Sequence, residues 1–240
     1  MTTAPGTSAT PGEHHHSHRD VTGGWMRPAV FGVTDGLVSN TALLAGAAGG
    51  GLAPRELVLI GFAGLAAGAF SMATGEYISV ASQAELTRAE IAVERAELAR
   101  APEAEEAELA GVFRSRGVDD ATSREVARPL SVDPEQAWRV HAREELGVDP
   151  DDLPSAWVAA GSSFAAFAVG ALVPVLPYLL GLGSLLVALL AAAVALFGTG
   201  VLVSRFTDRT AAYTGGRQLL LGAVAAALTY GVGSAVGASV

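Results

Sequence analysis

The sequence predicts an all-α membrane protein with five transmembrane helices and a three-helix cytosolic insert between the second and third of them. Half of the 240 residues are hydrophobic and the mean hydropathy is +0.40, which is more apolar than an ordinary soluble domain of this size. Five apolar stretches reach the length of about 20 helical residues that a hydrocarbon core requires. The net charge of −9 lies in the insert, residues 82–154, where 18 acidic residues accompany 9 arginines.

Residues 1–24 form a polar tail before the first span. They are rich in Gly, Pro, Ser, Thr and His and lack the basic start and apolar run of a secretory signal, so we expect a disordered segment. Its histidines either collect metal ions, belong to a tail without a defined site, or remain from cloning. They are His14, His15, His16 and His18.

The apolar stretches define a membrane domain in two parts, residues 25–81 and 155–240. The predicted spans cover residues 29–51, 57–81, 155–180, 182–204 and 219–240. Trp25 and Trp157 stand at the starts of the first and third spans, where interfacial aromatic residues anchor membrane helices. Pro174 and Pro177 predict a kink or an end in the third helix.

The distribution of arginine predicts the orientation in the membrane. Two arginines precede the first span, and Arg205, Arg209 and Arg217 are predicted to fill the loop between the fourth and fifth spans. The loop between the first two spans has only Arg55. Because basic residues favour the cytosolic side, we expect the N-terminus and the insert in the cytosol and the C-terminus outside.

The insert is predicted to be helical throughout. Its first part continues the second span as one long helix, because residues 82–100 are helix formers without a breaker. Pro102 opens a second helix that ends at Gly117, and Asp133 caps a third helix that ends at Gly147.

The membrane domain contains two acidic residues where charge is costly. Asp35 lies about two turns into the first span, and a carboxylate inside a membrane costs on the order of 2.5–3.5 kcal/mol, so a functional site is the default interpretation. Glu76 ends a stripe of the second span in which Gly64, Gly68 and Met72 precede it at four-residue intervals. The glycines predict close approach of a neighbouring backbone, and the thioether and carboxylates together indicate a site for a divalent transition metal.

Glutamates at helical spacing in the insert form a second group of candidate ligands. They are Glu90, Glu94 and Glu97 on its first helix, Glu105 and Glu108 on its second, and Glu144 and Glu145 beside His141 on its third. Carboxylate and imidazole groups at one-turn spacing on facing helices hold the metals of di-iron bundles. The alternative is that the glutamates are solvated or are paired with Arg88, Arg95 and Arg143.

Other function classes find no support in the sequence. The absence of cysteine excludes disulfides and thiolate metal sites. No phosphate-binding loop of the Walker type is present, and no nucleophile–base arrangement surrounds His141, so we expect neither ATP-driven transport nor an enzyme. The acidic insert has the wrong charge for nucleic acid. No prosthetic group is expected.

Six stretches of the chain carry a family resemblance. The most specific are RPAVFGVTDGLVSNTALLAGAAGG in the first span and GAFSMATGEYISVASQ at the end of the second. The insert contributes ELARAPEAEEAELAGVFRSRG and HAREELG, and the last spans contribute VPVLPYLLG and RQLLLGAVAAALTYGVG. Together they resemble the vacuolar iron transporter family of yeast, plants and bacteria, over nearly everything after Trp25.

The resemblance implies a homodimer of five-span subunits in the lipid bilayer that exchanges cytosolic Fe²⁺, or Mn²⁺, for protons. It implies that Asp35, Met72 and Glu76 line the translocation path between the first two helices. It also implies that the insert binds metal, with glutamates at the matching positions Glu94, Glu97, Glu105, Glu108 and Glu145. His141 stands where the family uses a methionine, and imidazole is itself a good ligand for iron and zinc.

Two further expectations concern rival functions and location. A membrane-anchored buffer or sensor of divalent metal, without transport, is the alternative function. Every one of the 15 basic residues is Arg, which is typical of GC-rich bacterial genomes. We therefore expect a bacterial inner membrane, or a vacuolar membrane if the source is eukaryotic.

Overall fold

The computed structural model describes residues 24–239, and in this part of the chain it contains nine helices and no strand. The predicted tail histidines lie outside the described residues. The helices are α1 (Met26–Gly49), α2 (Pro54–Arg100), α3 (Pro102–Ser115), α4 (Asp120–Leu130), α5 (Pro134–Glu144), α6 (Ala156–Leu172), α7 (Leu176–Leu179), α8 (Leu185–Ser204) and α9 (Ala211–Gly237).

Four of these helices, α1, α2, α8 and α9, are long and apolar enough to cross a membrane. The predicted third span is divided, because α6 ends at Leu172 after 17 residues and α7 follows as a single turn. Pro174 and Pro177 explain the division, since proline cannot donate a backbone hydrogen bond inside a helix. The prediction of an all-helical chain with membrane-spanning helices is confirmed for the described residues.

Helix α2 is one unbroken helix of 47 residues that passes from the apolar region into the acidic insert. It begins at Pro54, where the Glu56 carboxylate accepts a hydrogen bond of 2.7 Å from the backbone N–H of Ala53. It ends at Arg100 because Pro102 follows, and the residue before a proline is held away from the helical region. The long helix predicted from residues 82–100 is therefore present.

The prediction of three helices for the insert was incomplete, because α4 is a further helix between α3 and α5. Its N-terminus is capped by Asp119, whose carboxylate accepts hydrogen bonds of 3.1 Å from the backbone N–H groups of Ala121 and Thr122. It is a short, mostly polar segment with Pro129 near its end, so its intrinsic helix propensity is modest. Burial of Ala127 against Leu109 and Ala110 of α3 supplies the stabilisation that local propensity lacks.

The last membrane helix begins earlier than predicted. Thr210 caps α9, with its hydroxyl accepting a hydrogen bond of 3.3 Å from the N–H of Tyr213. Arg217, expected in the loop, therefore lies in the second turn of the helix, and Arg205 and Arg209 remain in the connection to α8. The apolar stretch begins only at Leu219, which is why hydropathy alone placed the start too late.

Helix α1 lies at the centre of the membrane domain and packs against α2, α6, α8 and α9. Its contact with α6 is between backbones, because the small residues Gly32 and Gly36 face the carbonyl groups of Ser163 and Phe167. Asn40 is buried nearby, and its amide donates hydrogen bonds to the carbonyls of Gly61 on α2 (3.1 Å) and Ala171 on α6 (2.6 Å). One polar side chain thus joins three helices.

Replacing Gly36 with Ala should destabilise the membrane domain by about 1–3 kcal/mol. The added methyl group would collide with the carbonyl oxygen of Phe167 and come within 2.8 Å of the Ala171 nitrogen, so α6 would have to move away. The free energy of unfolding can be measured in mixed detergent micelles. Gly161→Ala on α6 is the matched control, because nothing lies within 4 Å of the added carbon there and alanine favours helix formation. Equal stability of the two variants would contradict the packing argument.

Candidate metal centre

The insert brings carboxylate groups from three helices against one buried imidazole. His141 on α5 is completely buried, and its Nδ1 atom lies 2.9 Å from Oε1 of Glu94 on α2 and 3.0 Å from Oε1 of Glu145. Glu105, in the first turn of α3, joins them, since ligand atoms of Glu94, Glu105 and His141 all lie within 4.8 Å of one another. We call Glu94, Glu105, His141 and Glu145 the insert cluster.

The helix ends bring the cluster together. Asp133 caps α5 by accepting a hydrogen bond of 3.0 Å from the N–H of Glu135, and this fixes where the helix starts and which face carries His141. Pro102 begins α3 immediately after the end of α2. A single sharp turn therefore separates the helix that carries Glu94 from the helix that carries Glu105. Trp138, one turn before His141, packs under the guanidinium group of Arg95 at 4.9 Å and anchors α5 to α2.

Several polar atoms of the cluster have no hydrogen-bond partner in the described structure. Both ring nitrogens of His141 and one carboxylate oxygen each of Glu94 and Glu145 are buried and unpartnered. They lie at ion-pair distance from one another, with Nδ1 of His141 2.9 Å from Glu94 and 3.0 Å from Glu145. Buried polar atoms are nearly always satisfied in folded proteins, because an unsatisfied one costs roughly 1–3 kcal/mol. A divalent cation at this point would satisfy carboxylate and imidazole atoms together.

Burial and mutual repulsion raise the pKa values of the cluster carboxylates. The pKa of Glu94 is raised to about 7, first by burial and then by the negative charges of Glu145, Glu105, Glu97 and Glu108. The pKa of Glu105 is also raised, by burial and by Glu108 and Glu97, although His141 opposes the shift. Burial raises the pKa of Glu145 as well, again against the effect of His141. The cluster therefore favours a bound proton or a bound cation near neutral pH.

The other predicted ligands of the insert lie outside the cluster. Glu97 and Glu108 are close enough to act on it electrostatically, and Glu108 is exposed, as is Glu90. Glu144 points elsewhere and forms an ion pair with Arg116 of the α3–α4 connection, which also donates a hydrogen bond of 2.9 Å to its backbone carbonyl. The structure thus places Glu145 in the insert cluster and Glu144 outside it. Spacing along the sequence does not give this distinction.

The arginines expected as alternative partners of the predicted ligands do not form ion pairs with them. Arg95 pairs with Glu135 at 2.8 Å, and Arg143 pairs with Asp149 at 3.0 Å. Arg88 makes no ion pair with any described residue. The alternative of simple salt bridging to these three arginines is therefore wrong for Glu94, Glu105 and Glu145.

The three residues predicted to line a membrane path lie in different surroundings. Asp35 is half-buried on α1, and Met72 packs against the apolar cluster of Ala69, Phe167 and Ala171. Glu76 lines a cavity of about 300 Å³ between α1, α2 and α9. Neither Asp35 nor Met72 belongs to the lining of this cavity.

The glycine stripe of α2 has a different use from the one expected. A side chain at Gly64 would lie 2.6 Å from Oδ1 of Asn40, and one at Gly68 would overlap the ring of Phe167. These glycines therefore make room for neighbouring side chains, not for a neighbouring backbone. Backbone contacts form at glycines of other helices instead, at Gly32 and Gly36 between α1 and α6 and at Gly46 and Gly49 between α1 and α9.

Sequence reasoning missed two groups of residues. The cavity beside Glu76 is also lined by Arg27, Thr34 and Gln218, the last of which comes from α9. Asn40 joins three helices, and the signal for it was available, since an amide in the middle of an apolar span normally bonds across helices. No sequence pattern relates Gln218 to Glu76.

The fold and the cluster together define a helical integral membrane protein with an acidic insert that gathers carboxylate and imidazole groups. A search for known families matches residues 26–234 to the VIT family. The chain is 36% identical to a vacuolar iron transporter of Acanthamoeba castellanii, over 94% of this chain and 83% of the relative. It is 34% identical to vacuolar iron transporter 1 of Oryza sativa subsp. japonica, over 95% and 92% of the two chains, and 30% identical to vacuolar iron transporter 1 of Arabidopsis thaliana, over 90% and 88%. The chain belongs to the VIT family.

Proposed function

We propose that this protein transports Fe²⁺ out of the cytosol in exchange for protons and that its insert captures the ion first. The observation that carries the proposal is the insert cluster, in which buried carboxylate and imidazole atoms from separate helices converge within 4.8 Å of one another. The relatives named vacuolar iron transporters support iron as the substrate. Mn²⁺ and Zn²⁺ accept the same oxygen and nitrogen ligands and are the alternative substrates.

The proposed exchange follows from competition between protons and metal ions for the same carboxylates. A carboxylate in a poorly solvated site holds a proton at neutral pH, and a divalent cation displaces that proton. In the insert, Glu94 with its pKa of about 7 has this property. We propose that Asp35, Met72 and Glu76 act in the same way in the membrane, with protons from the far side releasing the metal.

The proposal includes an arrangement in the membrane. We infer five crossings, with α6 and α7 together forming the third, and a homodimer as the working unit. Arg27 and Gln218 line one cavity with Glu76, so the starts of α1 and α9 lie where α2 leaves the apolar region, and Arg205 and Arg209 precede α9 directly; this supports a cytosolic N-terminus and insert. The ring contact of Tyr77 with Trp157, at 4.7 Å between centroids, supports a membrane interface at that level. The membrane would be the inner membrane of a bacterium or a vacuolar membrane.

Transport into sealed vesicles tests the proposal directly. Purified protein in proteoliposomes should accumulate Fe²⁺ or Mn²⁺ only when a pH gradient is present, and metal entry should be accompanied by proton exit. Metal binding without uptake under any gradient would favour the alternative, a membrane-anchored metal buffer or sensor. Metal uptake at the same rate with and without a pH gradient would contradict the proposed proton exchange.

The metal-free insert should become less stable as the pH rises from 5 to 8. Glu94 has a pKa of about 7 in the fold, above the ordinary 4.5, so protonation favours the folded state and this stabilisation is lost as the pH passes through 7. The lowered pKa values of Asp119, Asp120 and Asp149 act only below about pH 4, outside this range. Hydrogen exchange of the α5 amides, corrected for intrinsic rates, measures the effect, and Glu94→Gln should weaken the dependence. Constant protection across the range would contradict it.

A further inference from the structure

The cavity beside Glu76 has a composition that the insert cluster does not share. It holds about 300 Å³ between the first turns of α1, the last membrane turns of α2 and the second turn of α9. Its polar lining consists of one carboxylate, one guanidinium group, one hydroxyl and one amide, from Glu76, Arg27, Thr34 and Gln218. The apolar remainder is Val30 and Phe31.

The charged groups of this cavity are unpaired in the described structure. Neither Glu76 nor Arg27 has an ion-pair partner within 4.0 Å among residues 24–239. A carboxylate at the edge of a membrane domain is costly to keep charged without a partner, so water or a cation must solvate it. The cavity provides the space for either.

The hydroxyl of Thr34 is oriented in a way that suits a cation. The Thr34 hydroxyl donates its proton to the carbonyl of Val30 at 3.0 Å, so the lone pairs of its oxygen remain free to accept or to bind metal. The amide of Gln218 offers a second neutral oxygen. Carboxylate, hydroxyl and amide oxygens are the ligands that hard divalent cations accept.

We propose that this cavity is a hydrated divalent-cation site in which Glu76 is the charged ligand, Thr34 and Gln218 are neutral ligands, and Arg27 weakens binding by repulsion. The inference rests on the proposed transport function and adds to it a third helix, α9, and a residue that sets affinity. A transport site must bind strongly enough to fill and weakly enough to empty. The positive charge of Arg27 in the lining that also holds Glu76 keeps the site from binding its ion too tightly.

Cysteine protection tests whether the cavity binds a cation. The chain has no cysteine, so Val30→Cys creates a single reporter in the cavity lining. Mn²⁺ should slow its reaction with a membrane-impermeant maleimide about fivefold or more, and Glu76→Gln in the same protein should abolish the slowing. Thr207→Cys, at an exposed position in the connection before α9 and outside the cavity, is the control whose rate should not respond to Mn²⁺. Absence of protection at Val30→Cys, or protection that survives Glu76→Gln, would overturn the proposal.

Transport kinetics test the role of Arg27. Arg27→Gln should lower the KM for Mn²⁺ about tenfold, as expected for removing a like charge across a small cavity, whereas Arg27→Lys should leave KM nearly unchanged. Arg205→Gln is the matched control, because it removes one positive charge from the same end of the bundle outside the cavity. Equal shifts in Arg27→Gln and Arg205→Gln would reduce the effect to surface charge and overturn the assignment.

The two tests separate this inference from the transport proposal. Cysteine protection measures cation binding and needs no transport, so it still decides on the cavity if the wild-type protein moves no metal. Conversely, normal proton-coupled uptake with an unchanged KM in Arg27→Gln would overturn only the role of Arg27.

Discussion

Replacement of Asp35 by Asn should abolish proton-coupled metal uptake and leave the protein folded in the membrane. The substitution keeps the size of the side chain and removes the group that would exchange a proton for a metal ion. Uptake of Mn²⁺ into proteoliposomes should fall at least about 100-fold, which corresponds to roughly 2.7 kcal/mol. Because a membrane carboxylate is costly, the variant should be as stable as the wild type or more so.

The control for Asp35 removes a carboxylate from another part of the same chain. Asp208 lies exposed in the connection between α8 and α9, and Asp208→Asn should transport metal at the wild-type rate. If Asp35→Asn also retained wild-type uptake, Asp35 would have no place in the path. If it lost uptake together with its thermal stability, the loss would reflect misfolding, and Asp35→Glu, which keeps the carboxylate, should then restore transport.

Removal of the buried imidazole should have the second largest effect, on metal capture. His141→Ala should lower the affinity of the full-length protein for Co²⁺ at least about 100-fold, because the cluster loses its only nitrogen ligand and keeps mutually repelling carboxylates. The visible absorption of Co²⁺ measures both affinity and coordination. His141→Met should retain weaker binding with a changed spectrum, since a thioether replaces the imidazole.

Two further variants keep the test of the cluster independent of folding. Glu94→Gln preserves the shape of a largely buried side chain and should weaken Co²⁺ binding with unchanged helix content. Glu144→Gln removes a carboxylate from the neighbouring position, where it pairs with Arg116, and should leave the affinity nearly unchanged. Equal losses in both glutamate variants would mean that the insert attracts cations only by its overall charge.

The membrane helices were predictable because their signal is large and local. An apolar run of about 20 residues has few alternatives to a spanning helix, and the prolines after Leu172 mark where the third one breaks. The start of α9 was less predictable. A membrane helix can extend beyond its apolar part. In α9 the Thr210 cap marks where the helical hydrogen bonding begins. In the insert, α4 was missed because it is short and has Pro129 near its end, and packing of Ala127 against α3 stabilises it.

The candidate sites were predictable only in part, for a geometric reason. Spacing along one helix places Glu94 with Glu97, and His141 with both Glu144 and Glu145, but it does not say which of them faces the other helices. Burial decides this in the structure, since Glu94 and His141 turn inward and Glu144 turns toward Arg116. Contacts between distant elements, such as Gln218 with the cavity of Glu76, have no local signal at all.

The continuity of α2 fixes the distance between the two metal-related regions of the chain. Glu76 and Glu94 are 18 residues apart on one unbroken helix, which is five full turns, so they face the same direction about 27 Å apart. No ligand shell reaches across such a gap, and a stiff helix cannot shorten it. An ion held by the insert cluster must therefore leave it entirely before it meets Glu76. The hand-over is then a diffusion step, and its rate should depend on salt and on the acidic surface between the two ends.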